Sequence, residues 1–266
     1  ALEEALAAEP DFTEALEHLR NLYISERQFD ALVDLYTERG EFEQLVDLLI
    51  STAEDLESDE DRRVVFRRAA DIAADDLRDP ARVVEALESL LDIAEHPPDV
   101  ARDLVDWYEQ LGQIDDEIET RRLLLDTIED ESFDRVAQLT RLAELESRRD
   151  RPESAFRWQS EAVRRRPNER ELRRKASQYA QAAGEMAGYV ELIDDVVDEL
   201  PEPARLKVLE EVAELKKEDL GELGSAAATY ERLAELDPSE PRYQAELVDL
   251  YRRLDRSSER AEAMRS

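Results

Sequence analysis

One spacing recurs through the chain and constrains its fold more than any other feature. Tyr36 and Tyr108 stand one interval apart and Tyr108 and Tyr251 two, with Ala180 filling the slot between, and Gly40, Gly112 and Gly184 each follow four positions later. Two further landmarks agree. Ala70-Asp71-Ile72, Ala143-Glu144-Leu145 and Ala213-Glu214-Leu215 recur at nearly the same interval, and Arg78-Asp79-Pro80 through Leu90 aligns with Gly221-Glu222-Leu223 through Leu233 at twice that interval. A unit of about 72 residues, repeated, means an array in which each copy buries its apolar face against the next.

Within the unit, apolar residues follow helical spacing, as in Leu16, Leu19, Leu22, Tyr23 or Leu247, Leu250, Tyr251, Leu254. Breakers interrupt the pattern at each quarter of the unit, which gives four helices in each. Only six glycines and ten prolines occur in 266 residues, too few for the corners of a sandwich or barrel. The expected fold is all-α: a right-handed superhelix, or solenoid, of about fifteen antiparallel helices, running as one continuous array over 1–266. Pro80 and Pro152 fit first-turn positions, and Ser58 with Asp61 and Asn168 with Glu171 have the spacing of reciprocal N-terminal caps. Gly40, Gly112 and Gly184 fit left-handed helix ends.

One irregularity stands out. The stretch Gln28 to Tyr36 is nearly repeated as Glu41 to Leu49, which reads as a local tandem duplication. It predicts a short helix, roughly Gln28 to Glu38, and a departure from regular stacking near 24–40.

The half-unit resembles the tetratricopeptide repeat. Ala155, Gln159, Ala162, Pro167 and Ala226, Tyr230, Leu233, Pro238 have the spacing of that family's second helix, and Leu2, Ala5, Pro10 show the end of another. Tyr23, Tyr108 and Tyr251, with Leu19, Leu104 and Leu247, fit the first helix. The match is degenerate: Arg20, Val105, Ser177 and Val248 stand in the glycine slot, and Leu16, Ala101, Arg173 and Gln244 replace the early tryptophan. The resemblance implies a protein-binding groove lined by outward positions of the first helices. By register these are His18 and Asn21, Arg102 and Asp106, Arg174, Lys175 and Gln178, and Arg252. The paired Asn and Lys that some members use to clamp a terminal carboxylate are missing: Glu17 stands near Asn21 where the Lys belongs.

Charge narrows the partners. With 69 Asp and Glu against 36 Lys and Arg the net charge is −33, which opposes binding to nucleic acid or anionic membranes. Apolar runs such as Leu123 to Leu125 are far too short to span a bilayer. There is no cysteine, and no leader pattern is read at the start. Because the chain opens at Ala1 inside what reads as half a helix, Ala1 to Ala8, it is expected to be a piece of a longer protein. Only four of the basic residues are Lys. That scarcity suits a salt-rich environment, and it follows equally from base composition, so the compartment stays open.

No catalytic or cofactor motif is present. The two histidines, His18 and His96, have no metal-ligand spacing, and no glycine-rich phosphate loop, nucleophile elbow or calcium loop occurs. No cofactor is expected. The distinctive local feature is a basic island from Arg148 to Lys175, with eleven basic against five acidic residues. It includes Arg164, Arg165, Arg166, Arg174 and Lys175. It reads either as an anchor for an acidic partner segment or as a set of arginines paired with acidic neighbours on adjacent helices. Trp107 and Trp158 read either as binding anchors or as packing between helices. The function these features support is a non-enzymatic protein-binding scaffold with a mostly acidic groove, favouring basic or polar partners. The alternative is a structural solenoid whose copies stack end to end into a fibre or shell.

Overall fold

A computed structural model describes residues 12–93, 98–128 and 134–255, together with residues 2, 4, 6, 9 and 263. His96 and most of the expected helix Ala1 to Ala8 lie outside the described residues. Contacts group the chain into two compact units, residues 1–130 and 131–266. Among the described residues there are fourteen α-helices and no strand.

The first unit holds α1 (Thr13–Ser25), α2 (Phe29–Thr37), α3 (Phe42–Asp55), α4 (Asp59–Ile72), α5 (Pro80–Ile93), α6 (Pro98–Leu111) and α7 (Ile114–Thr127). The second holds α8 (Arg135–Arg148), α9 (Pro152–Arg165), α10 (Arg170–Ala183), α11 (Met186–Val196), α12 (Glu202–Glu214), α13 (Leu223–Leu236) and α14 (Pro241–Arg253). Within each unit every helix packs on the next. Connections as short as the two residues between α6 and α7 force the chain to reverse, so neighbours pair as antiparallel hairpins.

The apolar stripes fill the space between the helices. Leu19, Leu104 and Leu247 are buried together with Tyr23, Tyr108 and Tyr251, as the first-helix register requires. Ala155, Ala162 and Ala226 are fully buried on the second helices, where small side chains let neighbours approach, and Leu233 is fully buried in the slot equivalent to Ala162. Gln159 is also fully buried, and its Nε2 donates to the Leu172 carbonyl at 3.1 Å, tying α9 to α10.

The turns carry the repeat in their backbone. All eight residues with positive φ among those described stand just past a helix end: Arg27, Gly40, Arg78, Gly112, Asp150, Gly184, Gly221 and Asp255. From Gly40 onward a longer step alternates with a shorter one, and each pair of steps makes one repeat unit. Arg27 precedes Gly40 by the length of the tandem duplication, and the extra helix between them is α2, with Leu32 and Tyr36 buried. Ser58 caps α4 by accepting from the Asp61 amide at 3.3 Å. The expected cap at Asn168 does not form. Helix α10 begins two residues later, Glu169 takes the cap position without a side-chain bond, and Asn168 stays in the turn.

Ion pairs follow the same half-unit step and join alternate helices. Arg82 of α5 meets Asp47 of α3 at 2.6 Å, Arg67 of α4 meets Asp103 of α6 at 2.6 Å, and Lys175 of α10 meets Glu144 of α8 at 2.6 Å. A π-helical turn, Ala73–Leu77 after α4 and Leu215–Asp219 after α12, adds a residue at the same place in each unit. The second turns both Lys216 and Lys217 inward, where Lys216 pairs with Asp194 at 2.7 Å and Lys217 with Glu246 at 3.1 Å.

Candidate functional site

The two units differ sharply in charge. Residues 1–130 carry 38 Asp or Glu against 12 Lys or Arg, a net of −26, whereas residues 131–266 carry 31 against 24, a net of −7. Each unit has a groove between alternate helices, and the grooves have opposite character.

In the first unit a slot of about 250 Å³ lies between α4, α5 and α6. Its floor is Ala70, Ala74, Val83 and Leu87, and half-buried Trp107 forms a side. Asp71, Asp103 and Asp106 stand at its rim. Arg67, the slot's one cation among the described residues, is held by Asp103 and reaches Asp99 at 3.6 Å. Desolvation pushes the Asp71 carboxyl above its ordinary range, and nearby Asp75 adds to the shift despite Arg67.

In the second unit a groove of about 580 Å³ runs between α10 and α12, with Tyr189 of α11 at its base. Helix α10 is fixed from below by Leu172, Ala176 and Ala180 and ended by left-handed Gly184. Helix α12 is fixed by Val208, Leu209 and Val212, and its start is held by the Arg205 guanidinium, which donates to the Leu200 carbonyl at 2.9 Å. The rigid walls present four cations, Arg170, Arg173, Arg174 and Lys207, against one carboxylate, Glu211. Asn168, Ser177 and Gln178 add neutral hydrogen-bonding groups.

The four cations are held differently. Arg173 is buried, and its guanidinium donates to the Pro167 carbonyl. Desolvation pushes it below its ordinary value, and neighbouring Arg170 pushes the same way. Arg174 donates to Glu171 through Nε at 2.9 Å. Arg170 and Lys207 are exposed and make no ion pair among the described residues. Tyr189 is buried beside them, and burial followed by Glu211 pushes its phenol up.

Of the residues expected from sequence, Arg174 and Gln178 reach this groove. Lys175 points to Glu144 instead. Arg164, Arg165 and Arg166 sit at the end of α9. Arg164 faces Asp195 at 3.8 Å, Arg165 pairs with Glu161 at 3.0 Å, and Arg166 spans Asp134 at 3.2 Å and Glu169 at 3.5 Å. Arg252 pairs with Asp249 at 2.6 Å on the last turn of α14. In the first unit His18 and Asn21 are exposed on α1, Arg102 is exposed on α6, and Asp106 lines the acidic slot. Trp107 and Trp158 are both half-buried, and the Arg157 guanidinium lies 4.9 Å from the Trp158 ring.

Lys207 and Glu211 were not among the expected site residues. A signal for them exists in the spacing: counted back from Gly221, Lys207 and Glu211 occupy the slots that Arg170 and Arg174 occupy before Gly184. No group of three or more potential metal ligands occurs among the described residues. No described helix is long and apolar enough to cross a membrane.

No family model matches the chain, and no curated protein does. Tetratricopeptide-repeat proteins are among the solved structures that match. One from Parabacteroides merdae is 11% identical with a TM-score of 0.39, covering 90% of this chain and 91% of that one. The C-terminal part of a repeat protein from Cytophaga hutchinsonii is 14% identical with a TM-score of 0.36, covering 88% and 92%. A third, YrrB, described as having an unusual peptide-binding site, is 11% identical with a TM-score of 0.33, covering 76% and 82%. These identities and TM-scores are too low to transfer a function.

Proposed function

We propose that the chain is a scaffold segment that binds other proteins and carries out no chemistry of its own. The observation that supports this most is the groove between α10 and α12. Its walls are helices, and its lining sets charged, amide and hydroxyl side chains beside apolar Pro203, Ala204 and Val208, a mixed surface suited to a polypeptide. The strongly acidic first unit gives the same scaffold a surface for basic or polar partners, and its charge opposes nucleic acid and anionic membranes.

A photoreactive side chain placed at Ser177, in the groove, and at Arg148, exposed at the end of α8 outside it, tests the reading in a native extract. Polypeptide adducts at Ser177 and not at Arg148 support a protein-binding groove. Equal labelling at both positions counts against it. The second reading, end-to-end stacking, is favoured by the charge difference between the units, because a basic groove and an acidic surface on one chain can meet between copies. Light scattering at low and high salt separates the two: a mass that grows with concentration marks stacking, and a constant monomer mass marks the scaffold.

A further inference from the structure

The basic island and the basic groove are not the same feature, and the difference decides what the groove takes. Five of the island's eleven cations, all five outside the groove, are already spent inside the molecule. Arg151 reaches Glu146, Arg164 reaches Asp195, Arg165 pairs with Glu161, Arg166 with Asp134 and Glu169, and Lys175 with Glu144. Such pairs stabilise little, but they cancel the field that a partner would feel. Of the groove's four cations only Arg174 is ion-paired among the described residues, with Glu171. Arg170 on one wall and Lys207 on the other are exposed without an ion pair among the described residues, and buried Arg173 also lines the groove, its guanidinium donating to the neutral Pro167 carbonyl.

We infer that this groove binds an acidic, extended segment of a partner protein, its side-chain carboxylates held by Arg170, Arg173 and Lys207. The inference rests on the scaffold reading and names the partner's chemistry. Guanidinium and ammonium groups recognise carboxylates through charge-assisted hydrogen bonds, and arginines in a cluster select acidic motifs. Asn168, Ser177 and Gln178 offer both donors and acceptors, which suits the alternating amides and carbonyls of an extended backbone and not a small anion. Glu211 at the Arg174-equivalent slot repels a carboxylate there, so the segment's acidic residues must face the Arg170 and Lys207 end. A second copy of this chain is the poorer occupant, because it brings its whole −33 against an equal charge.

The test uses the full chain and a fluorescein-labelled octapeptide alternating Glu and Ser, with a Lys-Ser octapeptide and an octathymidylate as controls, read by anisotropy. The acidic peptide should bind and the Lys peptide should not. Lys207→Glu and Arg170→Glu should each weaken binding tenfold or more, and Lys207→Gln should weaken it less. Arg148→Glu and Arg165→Glu, which change charge outside the groove by the same amount, should alter it less than twofold. Equal losses from all four reversals would mean diffuse attraction and overturn the site. Octathymidylate binding as tightly as the peptide would overturn the polypeptide assignment, and concentration-dependent mass abolished by Lys207→Glu would make the occupant another copy. If polypeptide adducts form at Ser177 but the acidic peptide neither binds nor competes, the scaffold stands and this inference falls.

Discussion

The Tyr108 hydroxyl donates a 2.7 Å hydrogen bond to Oε1 of Glu88 on the preceding helix. Tyr251 makes the same bond to Glu231, so the pair recurs two repeat units later. Where Ala180 replaces the tyrosine, Ser160 stands in place of the glutamate. Ring and hydroxyl therefore contribute separately. Tyr108 is 4% exposed, and Tyr108→Ala should cost about 3 to 5 kcal/mol through the cavity it leaves. Tyr108→Phe keeps the ring and loses one bond to an exposed acceptor, at about 1 kcal/mol. Urea unfolding of both variants measures the split, and a Phe variant as unstable as the Ala variant would place the weight on the hydroxyl.

The left-handed register makes its own prediction. Gly112, at φ +70, has no atom within 4 Å of where a Cβ would stand, so Gly112→Ala meets only backbone strain, about 1 to 2 kcal/mol. Arg78, at φ 54, already bears that strain, and Arg78→Gly should raise stability by up to about 1 kcal/mol after the entropy of the unfolded chain is counted. Asp150→Gly should gain less, since aspartate tolerates this conformation better. Melting temperatures of the three variants should rank Arg78→Gly above Asp150→Gly above Gly112→Ala.

These turns show why much of the fold could be read from residues alone. A left-handed helix end selects glycine, so Gly40, Gly112 and Gly184 displayed the period directly, and buried tyrosines repeated it. The other turns were hidden because Arg78, Asp150 and Asp255 adopt the same conformation without a glycine to mark it. The π-helical turns were hidden for another reason: one added residue leaves the apolar pattern on both sides intact. The groove was half visible. Arg174 and Gln178 share a helix face and follow from periodicity, whereas Lys207 joins them through packing between α10 and α12. Nor does a run of arginines reveal which cations are spent on neighbours such as Asp195 or Glu144, because those acids lie two helices away along the chain.

Alkaline pH should unfold the protein. Burial pushes the phenols of Tyr108, Tyr230 and Tyr243 up, and hydrogen bonds to Glu88, Glu214 and Glu210 push further; for Tyr243 the value rises from 10.0 to about 12. The folded state thus holds protons that the unfolded chain releases near pH 10. This stabilisation is complete below pH 10 and is lost as pH rises toward 12. Melting temperature should be flat from pH 8 to 9.5 and fall steeply by pH 11, with phenolate absorbance appearing together with loss of helix. Tyr243→Phe should make the fall shallower, and a melting temperature unchanged at pH 11 would contradict the raised phenols.

A buried ion pair in α7 gives the sharpest energetic test. Glu117 Oε1 accepts from Arg121 Nε at 2.8 Å, with side chains 1% and 7% exposed, and Arg121 also reaches Glu109 at 3.3 Å. Two charges taken out of water are costly unless well compensated, so removing one of this pair takes from the other its short, buried counter-charge. Glu117→Leu should cost about 3 to 5 kcal/mol, and Arg121→Met a similar amount. The double variant restores an apolar contact of comparable volume and should lie within about 1 kcal/mol of the parent, or above it. Urea unfolding of the four proteins in the cycle measures the coupling. If the two losses simply add, neither charge depends on the other and Glu109 alone satisfies the guanidinium.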